Sequence, residues 1–108
     1  LKQLFMNIIG NAAIYSPKNG GQIQITLKKT ADGYVFSCKD NGIGIAEFEQ
    51  LHIFEKFFRA SNAREVRPDG AGLGLFIATL IAKKYGWEIS FVSALNEGTT
   101  FTVKIVSV

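Results

Sequence analysis

Two residue types that staple or metallate small domains are nearly missing from this chain. Its 108 residues contain one cysteine, Cys38, and one histidine, His52. A lone cysteine excludes an internal disulfide framework and fits a reducing compartment. One cysteine and one histidine cannot supply a zinc cluster. Purely apolar runs extend only a few residues, far short of a membrane span. No charged head followed by an apolar run marks a signal peptide. The formal charge is +3, yet the positive residues form no long basic stripe. That balance suits acidic partners in general, and nucleotide phosphate meets it as well as nucleic acid does.

What is present is enough to build one core. A length of 108 residues fits a single domain, and 47% apolar content argues against disorder. The chain opens on Leu1, inside an apolar-periodic segment, so a longer parent protein is expected. Leu1, Leu4, Phe5, Ile8, Ile9 and Ala12 fall at helical spacing and predict an amphipathic helix ending near Tyr15. Ser16-Pro17 and Gly20-Gly21 punctuate it. Residues 22–29 alternate, with Ile23, Ile25 and Leu27 on one face. Residues 34–40 alternate with Tyr34, Phe36 and Cys38 on one side, and Asp32-Gly33 predicts the hairpin between the two strands.

Segment 46–51 can form a turn of helix, and 53–58 is a compact aromatic patch in which Phe54 and Phe57 should pack. Residues 59–71, charged and holding Pro68 and Gly70, read as a mobile loop. A second long helix is predicted from about Leu73 to Lys84, with Leu73, Phe76, Ile77, Leu80 and Ile81 on its stripe and Gly86 as its stop. Strands 88–93 and 99–106 follow, joined by a turn through Asn96, Glu97 and Gly98. Ile89 and Phe91 share a face of the first, and Phe101, Val103 and Ile105 share a face of the second. This order predicts the α+β class: a two-layer sandwich with a mixed, mainly antiparallel sheet and its helices on one face. A fifth strand has room upstream of Leu1.

Three groups of residues invite a chemical reading. Asn7 and Asn11 lie four apart on the first helix, away from its Leu4/Ile8 side. Asparagine is a poor helix former, and its amide oxygen is a neutral ligand suited to Mg²⁺; solvation or loop capping is the plain alternative. Asp40 closes a strand, followed by Asn41-Gly42-Ile43-Gly44. A buried carboxylate there would accept from an exocyclic amine and select adenine over guanine; an ordinary Asp/Asn/Gly turn is the structural alternative. Gly70-Ala71-Gly72-Leu73-Gly74-Leu75 leads into the second helix, where exposed N–H groups and the helix dipole favour an anion. It is neither a Walker A loop nor a dinucleotide fingerprint. Arg59, Arg64 and Arg67 precede it, with forked donors that suit phosphate or a solvated loop. His52 reads as a surface or locally bonded residue, and Tyr85 and Trp87 as packing residues.

In combination these segments resemble the ATP-binding catalytic domain of sensor histidine kinases, within the Bergerat or GHKL superfamily that also holds DNA gyrase B and MutL. Leu4 to Pro17 is similar to the family's N box, Asp40 to Ile45 to its G1 box, Ile53 to Arg59 to its F box, Gly70 to Leu75 to its G2 box, and Gly98-Thr99-Thr100-Phe101 to its last glycine–threonine motif. The resemblance implies that Asn11 coordinates Mg²⁺, with Asn7 on the phosphate side. Asp40 would bind the adenine amino group, and Gly42, Gly44 and Ile45 would line the base. Thr99 or Thr100 would assist through water, and Tyr15 would pack near the base or sugar. Gly70, Gly72, Leu73, Gly74 and Leu75 would hold phosphates through their amides, joined by Arg59, Arg64 or Arg67. Ile14 departs from the pattern, standing where many members place a phosphate-contacting lysine, and Lys18 or a lid arginine would have to substitute. Tyr85 and Trp87 also depart, at places often held by His and Gly.

By the same resemblance, the chain is a catalytic domain over residues 1–108 whose N-terminal strand and dimerisation/phosphoacceptor domain lie elsewhere in the parent protein. No residue here is assigned as the phosphate acceptor, since that histidine is expected outside this chain; Asn7 and Arg59 are the candidates for phosphate-side support. ATP and Mg²⁺ are the expected ligands. The expected partners are the dimerisation domain, a response-regulator receiver domain and a second copy in a full-length homodimer. Nucleic acid and membrane contact are not expected of this domain. It is placed in the cytoplasm, with inner-membrane anchoring of the parent left open. A serine kinase of the anti-sigma type and a non-catalytic nucleotide-sensing module are the alternatives.

Overall fold

A computed structural model describes residues 2–17, 19–55 and 74–106. Helix α1 (Lys2–Tyr15) leads into strands β1 (Ile23–Lys29) and β2 (Gly33–Asp40) and a 3₁₀ helix (Glu47–His52). Helix α2 (Gly74–Tyr85) and strands β3 (Glu88–Ala94) and β4 (Gly98–Val106) complete the order. α1 buries Leu4, Ile8 and Ala12 along one side, with Phe5 and Ile9 packed beside them. Burying Leu4 and Ile8 contributes about 1.5–3 kcal/mol each. The helix stops where the Ser16 hydroxyl turns back to donate to Ala12 O at 2.7 Å, and Pro17 has no N–H with which to continue. α2 ends at Gly86, whose φ of 72° is left-handed, and Trp87 N donates across that turn to Ala82 O at 2.8 Å.

The sheet runs β1-β2-β4-β3 and is antiparallel at every pairing among the described residues. Register sorts its residues onto two faces. Ile25, Cys38, Phe101 and Phe91 lie in one row of the inner face, and Leu27, Phe36, Val103 and Ile89 in the next. The core sits where β2 and β4 meet the helices, combining Phe36, Cys38, Phe101 and Val103 with Leu4, Ile8, Ala78 and Ile53. Phe5 stacks on Phe36 with centroids 4.3 Å apart, and Phe54 sets its edge on Phe91 at 5.7 Å. The outer face is polar: Thr26, Ser37, Thr102 and Ser90 form one row across all four strands, and the first two hydroxyls are 2.6 Å apart. One wet face and one packed face is the usual solution for an antiparallel sheet.

One expectation needs correction. The buried side of α2 is Leu75, Ala78, Ile81 and Ala82, while Ile77 and Leu80 are exposed; Leu73 lies outside the described residues. The segment is apolar nearly all round, so its pattern did not fix a face. Small alanines then let α2 lie close to α1 and the sheet, and the larger side chains flank that contact. Ile23, Ile25 and Leu27 of β1 share the inner face as read, yet Ile25 is 49% and Leu27 59% exposed. α1 lies over β2 and α2 over β3, which leaves this edge strand beyond their reach. Elsewhere, His52 is on the surface with Nδ1 2.8 Å from Glu55 Oε2, and Tyr85 stacks on Trp87 at 4.9 Å.

Candidate functional site

Asn7, Asn11 and Tyr15 recur every four residues and share one face of α1, each half-buried. From the first to the last this row spans about 12 Å of helix axis. Its two ends meet different parts of the chain. Asn7 Nδ2 donates to Gly74 O at 3.2 Å, at the start of α2, and Asn7 Oδ1 accepts from Gln3 Nε2 at 2.8 Å. At the other end the loop after Asp40 lies directly against the Tyr15 carbonyl, which a Cβ at Gly42 would strike. The Asn11 side chain, between them, makes no hydrogen bond to any described residue.

The loop 41–46 is held on both sides. Asn41 Oδ1 accepts from Gln22 N at 2.8 Å and Asn41 Nδ2 donates to Gly20 O at 2.9 Å, fastening the stretch after α1 to the end of β2. Opposite, Asn96 N donates to Ile43 O at 2.8 Å. Gly44 sits at φ 70°, and a Cβ there would run into Ala94 O. A left-handed backbone pressed onto another backbone admits only glycine. Gly98, at φ 102°, is likewise laid on the Asp40 carbonyl. The result is a thin backbone wall beside Asp40.

Asp40 is 7% exposed. Its Oδ1 accepts from Gly42 N at 2.8 Å. Burial pushes its carboxyl above the ordinary carboxylate range, and hydrogen bonds from the backbone of Gly42 and Thr99 pull partly the other way. The Cys38 thiol, one pair further along β2, is raised by burial and then by the negative charge of Asp40. A buried acceptor of this kind gains from a ligand that brings a donor, since the ligand replaces lost water contacts.

Of the two candidate threonines, Thr99 pairs with Asp40 and shares its face, buried. Thr100 pairs with Lys39 and points to the outer face, so strand alternation separates it from Asp40. Leu75 uses its side chain in the core, which leaves its backbone for any role toward an anion. Ile45 is half-buried against the same core. Lys18, Arg59, Arg64, Arg67, Gly70, Gly72 and Leu73 lie outside the described residues. Among the described residues no group of three or more His, Cys, Asp or Glu could hold a metal. Asn11, a neutral oxygen donor, fits a hard cation that takes most of its ligands from phosphate and water. Sequence reading missed Gln50 and Ser93, whose bonds go to backbone atoms of this loop and of β3. Nothing in their local sequence signals that.

The family of histidine kinase-, DNA gyrase B- and HSP90-like ATPases matches residues 1–107. The chain belongs to this family. As a member of it, the chain is 39% identical to sensor histidine kinase RppB of Synechocystis sp. over 97% of its own length and 23% of that protein. Its fold superposes on a mycobacterial sensor histidine kinase, MprB, with a TM-score of 0.84 and 30% identity, covering 96% of this chain and 70% of that one. Full-length ShkA, solved in complex with AMPPNP, gives a TM-score of 0.76 at 28% identity, covering 98% of this chain and 22% of that one. The chain spans about a fifth of the length of the curated relatives it matches. No helix among the described residues is long and apolar enough to cross a membrane.

Proposed function

We propose that this chain is the ATP-binding catalytic domain of a longer sensor histidine kinase. It binds ATP with Mg²⁺ and supplies the γ-phosphoryl group to a histidine of a separate dimerisation domain, leaving ADP. A response-regulator receiver domain then takes the phosphoryl group, and the parent protein works as a homodimer. One observation carries the reading: the row Asn7, Asn11, Tyr15 connects the start of α2 to the wall beside a buried carboxylate, Asp40. A base acceptor, Asp40, thus lies beyond one end of that row and the amides at the start of α2 beyond the other.

In this reading Asp40 accepts from the adenine amino group, where guanine would present a carbonyl oxygen and be repelled. Gly42, Gly44 and Ile45 form the wall against the base, and Thr99 rather than Thr100 assists from Asp40's face. Tyr15 packs beside the base or sugar. Asn11 holds the cation, which when bound offsets the charge of the phosphates. Asn7 and the amides of Gly74 and Leu75 serve the phosphate end, together with the G2 glycines and the lid arginines Arg59, Arg64 and Arg67. The domain's work is positioning and charge neutralisation, and the attacking imidazole comes from outside. The named relatives are sensor kinases, which favours histidine over serine as the acceptor.

Titration with ATP, with and without Mg²⁺, tests the reading. Wild type should bind more tightly with the metal. Asn11→Ala should lose most of that difference and keep the metal-free affinity. Equal loss in both conditions would remove Asn11 from the cation site.

A further inference from the structure

The loop that walls Asp40 is locked from behind by two side chains outside the nucleotide contacts proposed above. Gln50, on the 3₁₀ helix, spends both amide protons on backbone carbonyls: Nε2 donates to Ile45 O at 3.0 Å and to Ser93 O at 3.1 Å. Ser93, near the end of β3, answers from the other side. Its Oγ accepts from Ile45 N at 2.9 Å, donates to Gly98 O at 3.0 Å and lies 2.7 Å from Thr99 Oγ1. Proton accounting orients this cluster. A carbonyl only accepts, so the single Ser93 proton belongs to Gly98 O. The bond to Thr99 must then run with Thr99 donating. Thr99 therefore turns its proton away from Asp40 and keeps only lone pairs for anything that enters beside it.

We infer that Gln50 and Ser93 are positioning residues for adenine selection. They fix both N–H and C=O of Ile45, the residue after Gly44, and set the hydroxyl polarity of Thr99 next to Asp40. The inference rests on the adenine-nucleotide reading. Its consequence is specific: without the clamp the loop can drift from Asp40, and the carboxylate then discriminates bases less sharply while the fold persists. Ile45 and Ser93 are 48 residues apart in sequence, so no local interaction can substitute.

The test compares the full chain with Gln50→Leu, Gln50→Glu and Ser93→Ala, measuring calorimetric Kd for ADP and GDP together with Tm. Gln50→Leu keeps the bulk and loses both donors. Gln50→Glu keeps the shape and turns acceptors toward two carbonyls, so one variant reports if the other does not fold. Each should weaken ADP by about 3- to 10-fold, the scale of one lost neutral hydrogen bond, and weaken GDP less, narrowing the ADP/GDP ratio. A lowered Tm with ADP affinity and ratio both at wild-type values would make the clamp purely structural and overturn the inference alone. Absence of ADP binding by wild type would overturn the nucleotide reading, and this inference with it.

Discussion

Asp40 carries a charge where the surroundings penalise one, and two consequences follow. Its folded pKa lies above that of the unfolded chain, near the ordinary aspartate value of about 3.9. The sign is therefore the reverse of a salt-bridged aspartate: its contribution to stability is fullest below the unfolded value and is lost as pH rises through the folded one. Binding runs the other way, because the amino group of adenine needs the ionised acceptor. Affinity for ADP should decline on acidification from a pH above the usual carboxylate range, and Asp40→Asn should remove that pH dependence. Asp40→Ala should weaken ADP and ATP by the same factor, about 10- to 100-fold for a charged hydrogen bond. Unequal losses would place Asp40 at the phosphate end. Asp40 stood out in the sequence as a carboxylate ending a strand before two glycines, with an ordinary turn as the alternative, and its burial is what the structure adds. The Thr99/Thr100 choice was not legible until register showed which one shares its face.

At the scale of elements, the strands were read well because alternation has a period of two and each turn carried its own marker. The α2 face was not, since a segment apolar on every side gives periodicity no purchase. The position of β1 was legible but its exposure was not: alternating Ile23, Ile25 and Leu27 point to the helical side, and how far the helices reach is a tertiary fact. For the glycines of the loop 41–46 the structure adds what each would strike with a side chain. Gly44→Ala combines a left-handed φ with a Cβ driven into the Ala94 carbonyl, and should destabilise by about 2–4 kcal/mol. Urea unfolding measures this. A loss under 1 kcal/mol, about what a freely relaxing turn would show, would mean that the loop yields.

At the scale of the molecule, the described residues are arranged one-sidedly, with their helices, core and candidate site on the same face of a four-stranded sheet and hydroxyls on the other. Its sole cysteine lies at the middle of that arrangement, on a central strand, 1% exposed, with its thiol pKa raised. Thiolate is the reactive form, so both access and ionisation protect it. A disulfide reagent should therefore be consumed at the pace of unfolding and far more slowly than by a surface thiol. ADP at a hundred times its Kd should slow that consumption about 100-fold. Labelling at the rate of an open thiol would contradict the packing around Cys38. A single sulfur atom thus makes the chain its own stopwatch: counting modified molecules over time reports how often the interior opens, with no dye or tag attached.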